Sequence, residues 1–211
     1  MSAHCCGHGH DHGAASPVYR RILWAALAVN LAMFAVEIGA GLAAQSVSLL
    51  ADSLDFLGDA ANYAISLFVL GMALQWRARA SLVKAASMGA FGLWVAATTI
   101  QHAMAGTVPA APLMGAVGAL ALAANLGVAA LLYRWREGDS NMRSVWICTR
   151  NDAIGNLAVL AAAAGVFGSG TGWPDYIVAA IMSGLALTGA FQVARQALAE
   201  LAHTRSAAPA E

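Results

Sequence analysis

Six long apolar segments alternate with short polar connectors along the chain. The apolar segments cover approximately residues 22–44, 47–74, 81–105, 112–133, 142–166 and 174–197. Each is long enough to cross the hydrocarbon core of a bilayer, which takes about 20 residues of α-helix. The pattern therefore predicts an all-α, multi-pass membrane protein with six transmembrane helices.

Lys and Arg residues are concentrated at the chain ends and around alternate connectors. Arginines lie in the connectors at residues 75–80 and 134–141, whereas the connectors at 45–46, 106–111 and 168–173 contain neither Lys nor Arg. Basic residues near helix ends stay on the cytoplasmic side of a membrane. We therefore expect both termini to lie in the cytoplasm, and we expect the inner cell membrane as the location.

The composition argues against a water-soluble globule. Of the 211 residues, 60% are apolar and only 10% are charged, whereas a soluble domain has about 25% charged residues. So few charges could not cover a surface in water. The formal net charge is zero, so the chain has no basic field that would attract a nucleic acid.

One face of the predicted second helix is polar at membrane depth. Asp52, Asp55, Asp59, Asn62 and Ser66 are separated alternately by three and four residues, a spacing that places them on one helix face. Each carboxylate at the membrane centre costs about 2.5–3.5 kcal/mol on insertion scales. Three of them indicate a functional site, and a buried polar network that fixes helix register is the structural alternative.

The predicted fifth helix carries a matching stripe. Ser144, Cys148, Asp152 and Asn156 recur every four residues. At a rise of about 1.5 Å per residue, Asp59 and Asp152 both lie roughly 15–20 Å from the cytoplasmic face. Two antiparallel helices that face each other would therefore bring the two stripes together near the membrane midplane.

The two stripes supply a candidate metal site of four side chains: Asp55, Asp59, Cys148 and Asp152. A tetrahedral site takes four thiolate, imidazole or carboxylate donors held on rigid elements. A thiolate favours zinc, or cadmium or cobalt as alternatives, over magnesium and calcium. The alternative for Cys148 is that it packs as a small apolar residue. Three further polar side chains are expected to surround the ligands: Asp52, Asn62 and Asn156.

Metal binding to these carboxyl groups is expected to release protons. Without a metal, like charges in a low dielectric favour carboxyl groups that hold protons, whereas metal ligation requires deprotonated donors. We therefore expect metal–proton antiport by alternating access, with the metal as cargo and no cofactor.

Two other functions stay open at this point. A membrane-embedded metal sensor or scavenger would bind the ion without moving it. An intramembrane metalloenzyme would need an open metal position and a separate general base. The sequence has no HExxH motif, and the four donors are all assigned to one ion.

The first 19 residues are predicted to form a disordered metal-binding tail. The donors in this tail are His4, Cys5, Cys6, His8, His10 and His12. The surrounding Gly, Ala and Ser residues disfavour order without a ligand, and His/Cys-rich tracts are typical of metal capture. A solvating tail is the alternative. The transmembrane domain is expected at residues 20–200, followed by a short cytoplasmic tail at 201–211.

The segment SVSLLADSLDFLGDAANYAISLF resembles the second helix of cation diffusion facilitators, which export zinc, cadmium and cobalt. In that family two ligands four residues apart follow a Leu-Leu-Ala-Asp sequence, and the pair falls here on Asp55 and Asp59. The family's fifth helix carries a second pair, usually His then Asp. The downstream segment GWPDYIVAAIMSGL resembles the family's entry to helix six, and this fixes the alignment of the fifth helix. The Asp of the family's pair then falls on Asp152, and Cys148 stands at the His position. An alternative register pairs Asp152 with Asn156.

The resemblance covers roughly residues 20–200 and implies a six-helix bundle that forms homodimers. In the printed sequence nothing after the sixth helix matches the family's C-terminal cytoplasmic domain, so we expect a short form without it. Two membrane-depth residues have no assigned role. Glu37 lies on the first helix, and Arg150 points away from the Cys148–Asp152 stripe without an identified partner.

Overall fold

The computed structural model of the chain describes residues 17–68, 74–135 and 140–206. The helices in these ranges are α1 (Pro17–Ala44), α2 (Val47–Phe68), α3 (Leu74–Ala105), α4 (Ala111–Leu132), α5 (Ser140–Ser169) and α6 (Trp173–Ser206), with a 3₁₀ turn at Tyr133–Trp135. These ranges contain no strand. The predicted all-α fold with six long helices is confirmed.

The helices extend beyond the apolar segments that the sequence predicts. The connector predicted at residues 75–80 is wrong, because α3 is helical from Leu74 onwards. The residues there are Gln, Trp, Arg and Ala, with no Gly or Pro to stop a helix. Hydropathy marks only the part of a helix that contacts lipid. For the same reason α6 continues to Ser206, and α1 begins at Pro17, a residue favoured in the first helical turn.

Five of the helices are long and apolar enough to cross a membrane. The exception is α2, which has 22 residues but carries three aspartates. Its apolar side chains Leu49, Leu50, Leu54 and Phe56 are fully buried. It packs against α1, α3, α5 and α6. The helix that carries three aspartates is therefore shielded by its neighbours.

The helices pack mainly in the pairs α1 with α2, α3 with α6, and α4 with α5. Further contacts of α1 with α4 and of α2 with α5 close a four-helix group around the polar stripes. Helices α3 and α6 pack on the side of α2. Their outer faces expose large apolar side chains such as Leu93, Met104 and Leu185, as expected where lipid is the solvent.

Two apolar clusters lie at opposite ends of the four-helix group. One includes Tyr19, Leu23 and Tyr63, near the first turns of α1. The other is built around Leu49 and Met114, with Val117 and Val159 from the neighbouring helices. The polar stripes therefore lie between two apolar layers.

A tight turn joins α1 to α2. Gln45 adopts a left-handed conformation with φ of 55°, and the Ser46 amide donates a hydrogen bond to the Gly41 carbonyl at 2.9 Å. This conformation is a common way to end a helix. The first turn of α2 is then capped by Asp175 of α6, which accepts hydrogen bonds from the amides of Val47 and Ser48 at 2.8 and 3.0 Å.

Candidate metal site

Asp59 lies at the contact between α2 and α5 and is almost completely buried. Its Oδ2 atom accepts hydrogen bonds from the hydroxyls of Tyr63 and Thr149, both at 2.9 Å. These two hydroxyl oxygens are 2.6 Å apart. Each hydroxyl has one proton, so only two of these three contacts can carry a proton at once. Asp59 therefore belongs to a compact network of oxygen atoms.

Asp152 approaches Asp59 from α5, where it is half-buried. The two carboxyl groups lie close enough to interact. Neither can donate a hydrogen bond when both are ionised, and a proton or a cation between them would remove their repulsion. The structure thus brings one predicted ligand of α2 next to one of α5.

Asp55 lies one helical turn from Asp59 and faces α5 at Gly155. A Cβ atom on Gly155 would lie 3.5 Å from Oδ2 of Asp55 and 3.9 Å from Oδ1 of Asp52. The glycine therefore leaves the two carboxylates facing bare α5 backbone. Asp55 is half-buried, whereas Asp52 is fully buried.

The predicted surrounding residues Asp52 and Asn156 contact each other directly. The Asn156 side-chain amide donates to Oδ2 of Asp52 at 2.7 Å. Its carbonyl accepts a hydrogen bond from Asn125 of α4 at 3.0 Å. All three side chains are buried. In this arrangement Asn156 orients Asp52 and is not paired with Asp152.

Asn62, the third predicted surrounding residue, lies on the other side of Asp59 and contacts α3. Its side-chain carbonyl accepts a hydrogen bond from the Lys84 ammonium. Both residues line a cavity of about 190 Å³ at the Phe68 end of α2, together with Ser81, Gln196 and Glu200. The Lys84 charge also acts on Asp59. A polar cavity therefore reaches to within one turn of the buried carboxyl groups.

Several predicted ligands cannot be placed. Residue 148 belongs to α5, but the Cys148 side chain lies outside the described residues, as does that of Ser144. The tail donors are also outside them: His4, Cys5, Cys6, His8, His10 and His12. Within the described ranges, no three Asp, Glu, His or Cys side chains gather closely enough to hold a metal. In this conformation Asp55 faces Gly155 while Asp59 meets the two hydroxyls and Asp152, so the carboxylates would have to converge to share an ion.

Sequence reasoning missed three polar residues of this region: Tyr63, Thr149 and Asn125. Tyr63 follows Asp59 by four residues, so its position on the stripe was available from spacing alone. Thr149 sits one residue after Cys148 and off the four-residue repeat. Asn125 is a lone amide in an otherwise apolar helix, and such a residue usually finds a partner across a helix interface.

Arg150 points away from the stripes, as its spacing predicts. Its guanidinium lies over the Trp146 ring, 5.4 Å from the ring centroid, and donates a hydrogen bond to Asn151 at 3.2 Å. The side chain is exposed. Its contacts are therefore local, and it takes no part in the Asp59 network.

A family model described as the cation efflux transmembrane domain matches residues 23–202, which is most of the chain. No curated protein matches the chain.

Proposed function

The chain belongs to the cation efflux family, and from this premise we propose that it exports zinc from the cytoplasm in exchange for protons, with cadmium or cobalt as alternative cargo. Family membership makes it a membrane-embedded transporter of divalent metal cations and not an enzyme. The choice of metal, the proton exchange and the site residues are the proposed part.

The contact between Asp59 and Asp152 carries the proposal. The buried carboxyl group of Asp59 and the half-buried one of Asp152, from facing helices, lie where a cation would be stabilised by both. We assign the cargo to Asp55, Asp59, Cys148 and Asp152, with Asp52, Asn62 and Asn156 around them. Position 148 is one turn before Asp152 on α5, which supports its assignment as the fourth donor.

Proton exchange follows from the same contact. A metal that binds Asp59 and Asp152 must displace any proton that they hold, because ligation requires both groups to be ionised. The hydroxyls of Tyr63 and Thr149 can then turn to other acceptors. Each transport step would thus return at least one proton in the opposite direction.

Access from one side at a time is supported by the surroundings of the stripes. Towards the Phe68 end of α2 the Asn62–Lys84 cavity approaches Asp59. Towards the Val47 end the cluster around Leu49 and Met114 is tightly packed. We propose that this cavity, which lies beside α3 and α6 and outside the apolar cluster that includes Tyr19 and Tyr63, is the route from the cytoplasm, and that the other side is closed. A sensor that never moves the ion would not need such an asymmetry, although it stays the alternative.

We also propose an orientation, a location and an oligomeric state for the transporter. We expect both termini in the cytoplasm, the inner cell membrane as location and a homodimer as the working unit. In this orientation the His/Cys-rich tail would collect metal on the side from which it is exported.

Transport by the purified full chain in proteoliposomes tests the proposal. A zinc indicator and a pH dye inside the vesicles should report zinc flux and an opposite proton flux. Loss of a residue that merely supports a metal ligand costs about 10–100-fold in affinity or activity, so Asp59→Asn should reduce flux by more than this. Glu211→Gln makes the same carboxyl-to-amide change at the last residue and is the matched control. Undiminished flux in Asp59→Asn would remove the proposed site, and zinc flux without proton flux would remove the antiport.

A further inference from the structure

Glu37 and Asp52 form a second pair of buried carboxyl groups, between α1 and α2. Both side chains have no exposed surface. Among the residues that the structure describes, no group donates a hydrogen bond to either oxygen of Glu37 or to Oδ1 of Asp52. Only Oδ2 of Asp52 has a donor, the Asn156 amide at 2.7 Å. Three of the four carboxyl oxygens are therefore without a donor.

The two carboxyl groups lie close enough to act on each other. Neither can donate when both are ionised, and a buried charge without a partner is strongly unfavourable. A shared proton or a metal cation between them would remove this cost. Asn156 donates to Oδ2 of Asp52 and leaves Oδ1 available for the shared proton or cation.

The Glu37–Asp52 pair lies beside the central carboxylates, on the side away from the Asn62–Lys84 cavity. Asp52 precedes Asp55 by three residues on the same face of α2. Both carboxylates approach the same Gly155 of α5, where no side chain separates them. The charge of Asp55 also acts on Glu37. A cation could therefore pass from Asp55 to the pair without crossing an apolar barrier.

We propose that Glu37 and Asp52 form a second, oxygen-only binding position for a divalent cation, one helical turn from the central site on the side opposite the Asn62–Lys84 cavity. Carboxylate oxygens bind many divalent ions but lack the preference of a thiolate for zinc. The position would thus hold the cargo more weakly than the central site and release it more readily. That the cation is the cargo rests on the proposed function, whereas its binding here does not.

Manganese is a suitable probe, because Mn²⁺ prefers oxygen ligands and its binding can be counted by electron paramagnetic resonance. The full chain in lipid nanodiscs should lose one bound Mn²⁺ per chain in Glu37→Gln. Asp59→Asn should keep that ion, and Glu211→Gln should match the parent. All variants retain the tail, so tail binding cancels in the comparison. An unchanged number and affinity of bound Mn²⁺ in Glu37→Gln would show that the pair holds only a proton and would overturn the proposal.

Thermal unfolding provides a second measurement. The Gln amide in Glu37→Gln can donate to the free oxygen of Asp52, so the metal-free variant should unfold no earlier than the parent. Mn²⁺ should raise the Tm of the parent by more than that of Glu37→Gln, which keeps only the central site, and Asp59→Asn should keep the part of the rise that comes from the second position. If Glu37→Gln does not fold, Asp52→Asn should lose the same ion. Equal Mn²⁺-induced shifts in the parent and in the folded variants would contradict the second position.

The two proposals fail in different experiments. Full zinc flux in Asp59→Asn would remove the central site and leave the Mn²⁺ count untouched. An unchanged Mn²⁺ count in Glu37→Gln would remove the second position and leave zinc flux through the central site as it is.

Discussion

The Oδ1 atom of Asp175 lies 2.7 Å from the Oγ atom of Ser46, and this hydrogen bond joins the first turn of α6 to the start of α2. The same carboxylate accepts the amides of Val47 and Ser48. Amides in the first turn of a helix have no partner within the helix, and a negative charge there is also favoured by the helix dipole. A residue from α6 thus caps the helix that carries the predicted ligands.

Loss of this cap should destabilise the bundle. Replacing a capping side chain by Ala typically costs about 0.5–2 kcal/mol, and here the freed amides are buried as well. We expect Asp175→Ala to lower the Tm in detergent by several degrees, and Asp175→Asn, which keeps one acceptor oxygen, to lower it less. Equal unfolding temperatures of the parent and Asp175→Ala would contradict the capping role.

The Thr149 hydroxyl should matter for transport through its contact with Asp59. Thr149→Val keeps the shape of the side chain and removes the donor, so Asp59 is held less firmly. Loss of such a supporting contact costs about 10–100-fold in affinity or activity. Thr98→Val is the matched control, because the Thr98 hydroxyl donates to the Trp94 carbonyl of its own helix. Zinc flux should fall in Thr149→Val alone; equal flux in both variants would argue against the contact.

Lys84 places a positive charge beside the path that we propose for cytoplasmic metal. Its ammonium contacts Asn62 and acts on Asp59, so it should compete with an incoming cation. A partly exposed charge pair is worth up to about 1 kcal/mol, which corresponds to roughly fivefold in KM. We therefore expect Lys84→Gln to lower the KM for zinc uptake into everted vesicles by up to this factor. Lys84→Arg keeps the charge and should leave KM near that of the parent. A higher KM in Lys84→Gln would mean that the ammonium assists metal binding.

Cys148 should set the order of preference among metals. Cadmium gains more than zinc or cobalt from a thiolate ligand. In Cys148→His the ratio of cadmium to zinc flux should fall by about tenfold, a difference of ~1.4 kcal/mol. Cys148→Ser should lower flux of both metals. A metal ranking in Cys148→His that matches the parent would remove Cys148 as the selectivity element.

The architecture was largely predictable because lipid imposes a simple rule on sequence. A helix that crosses the hydrocarbon core needs about 20 predominantly apolar residues, so the number of helices could be predicted from hydropathy. The stripes on α2 and α5 stood out since three aspartates at membrane depth are costly. Helix ends were harder to predict, as α3 shows, because a helix that continues into water has no hydropathy signal.

Contacts within the site could be predicted only in part. The facing of Asp59 and Asp152 followed from their depth, whereas the bond from Asn125 to Asn156 depends on how α4 packs against α5. Asp175 and Ser46 are 129 residues apart in the chain, and nothing in their local sequence links them. Hydroxyl groups such as those of Tyr63 and Thr149 are inexpensive in apolar helices, so their presence alone does not indicate a role.

The two-residue connection between α1 and α2 has a consequence for biosynthesis. If α2 left the translocon by itself, it would bring three aspartates into lipid at a cost of roughly 8–10 kcal/mol. The preceding helix, α1, is long and strongly apolar. The turn at Gln45 is too short for α1 and α2 to move apart. We therefore expect α1 and α2 to enter the bilayer together as one hairpin. The helix that carries the proposed ligands would owe its insertion to its neighbour.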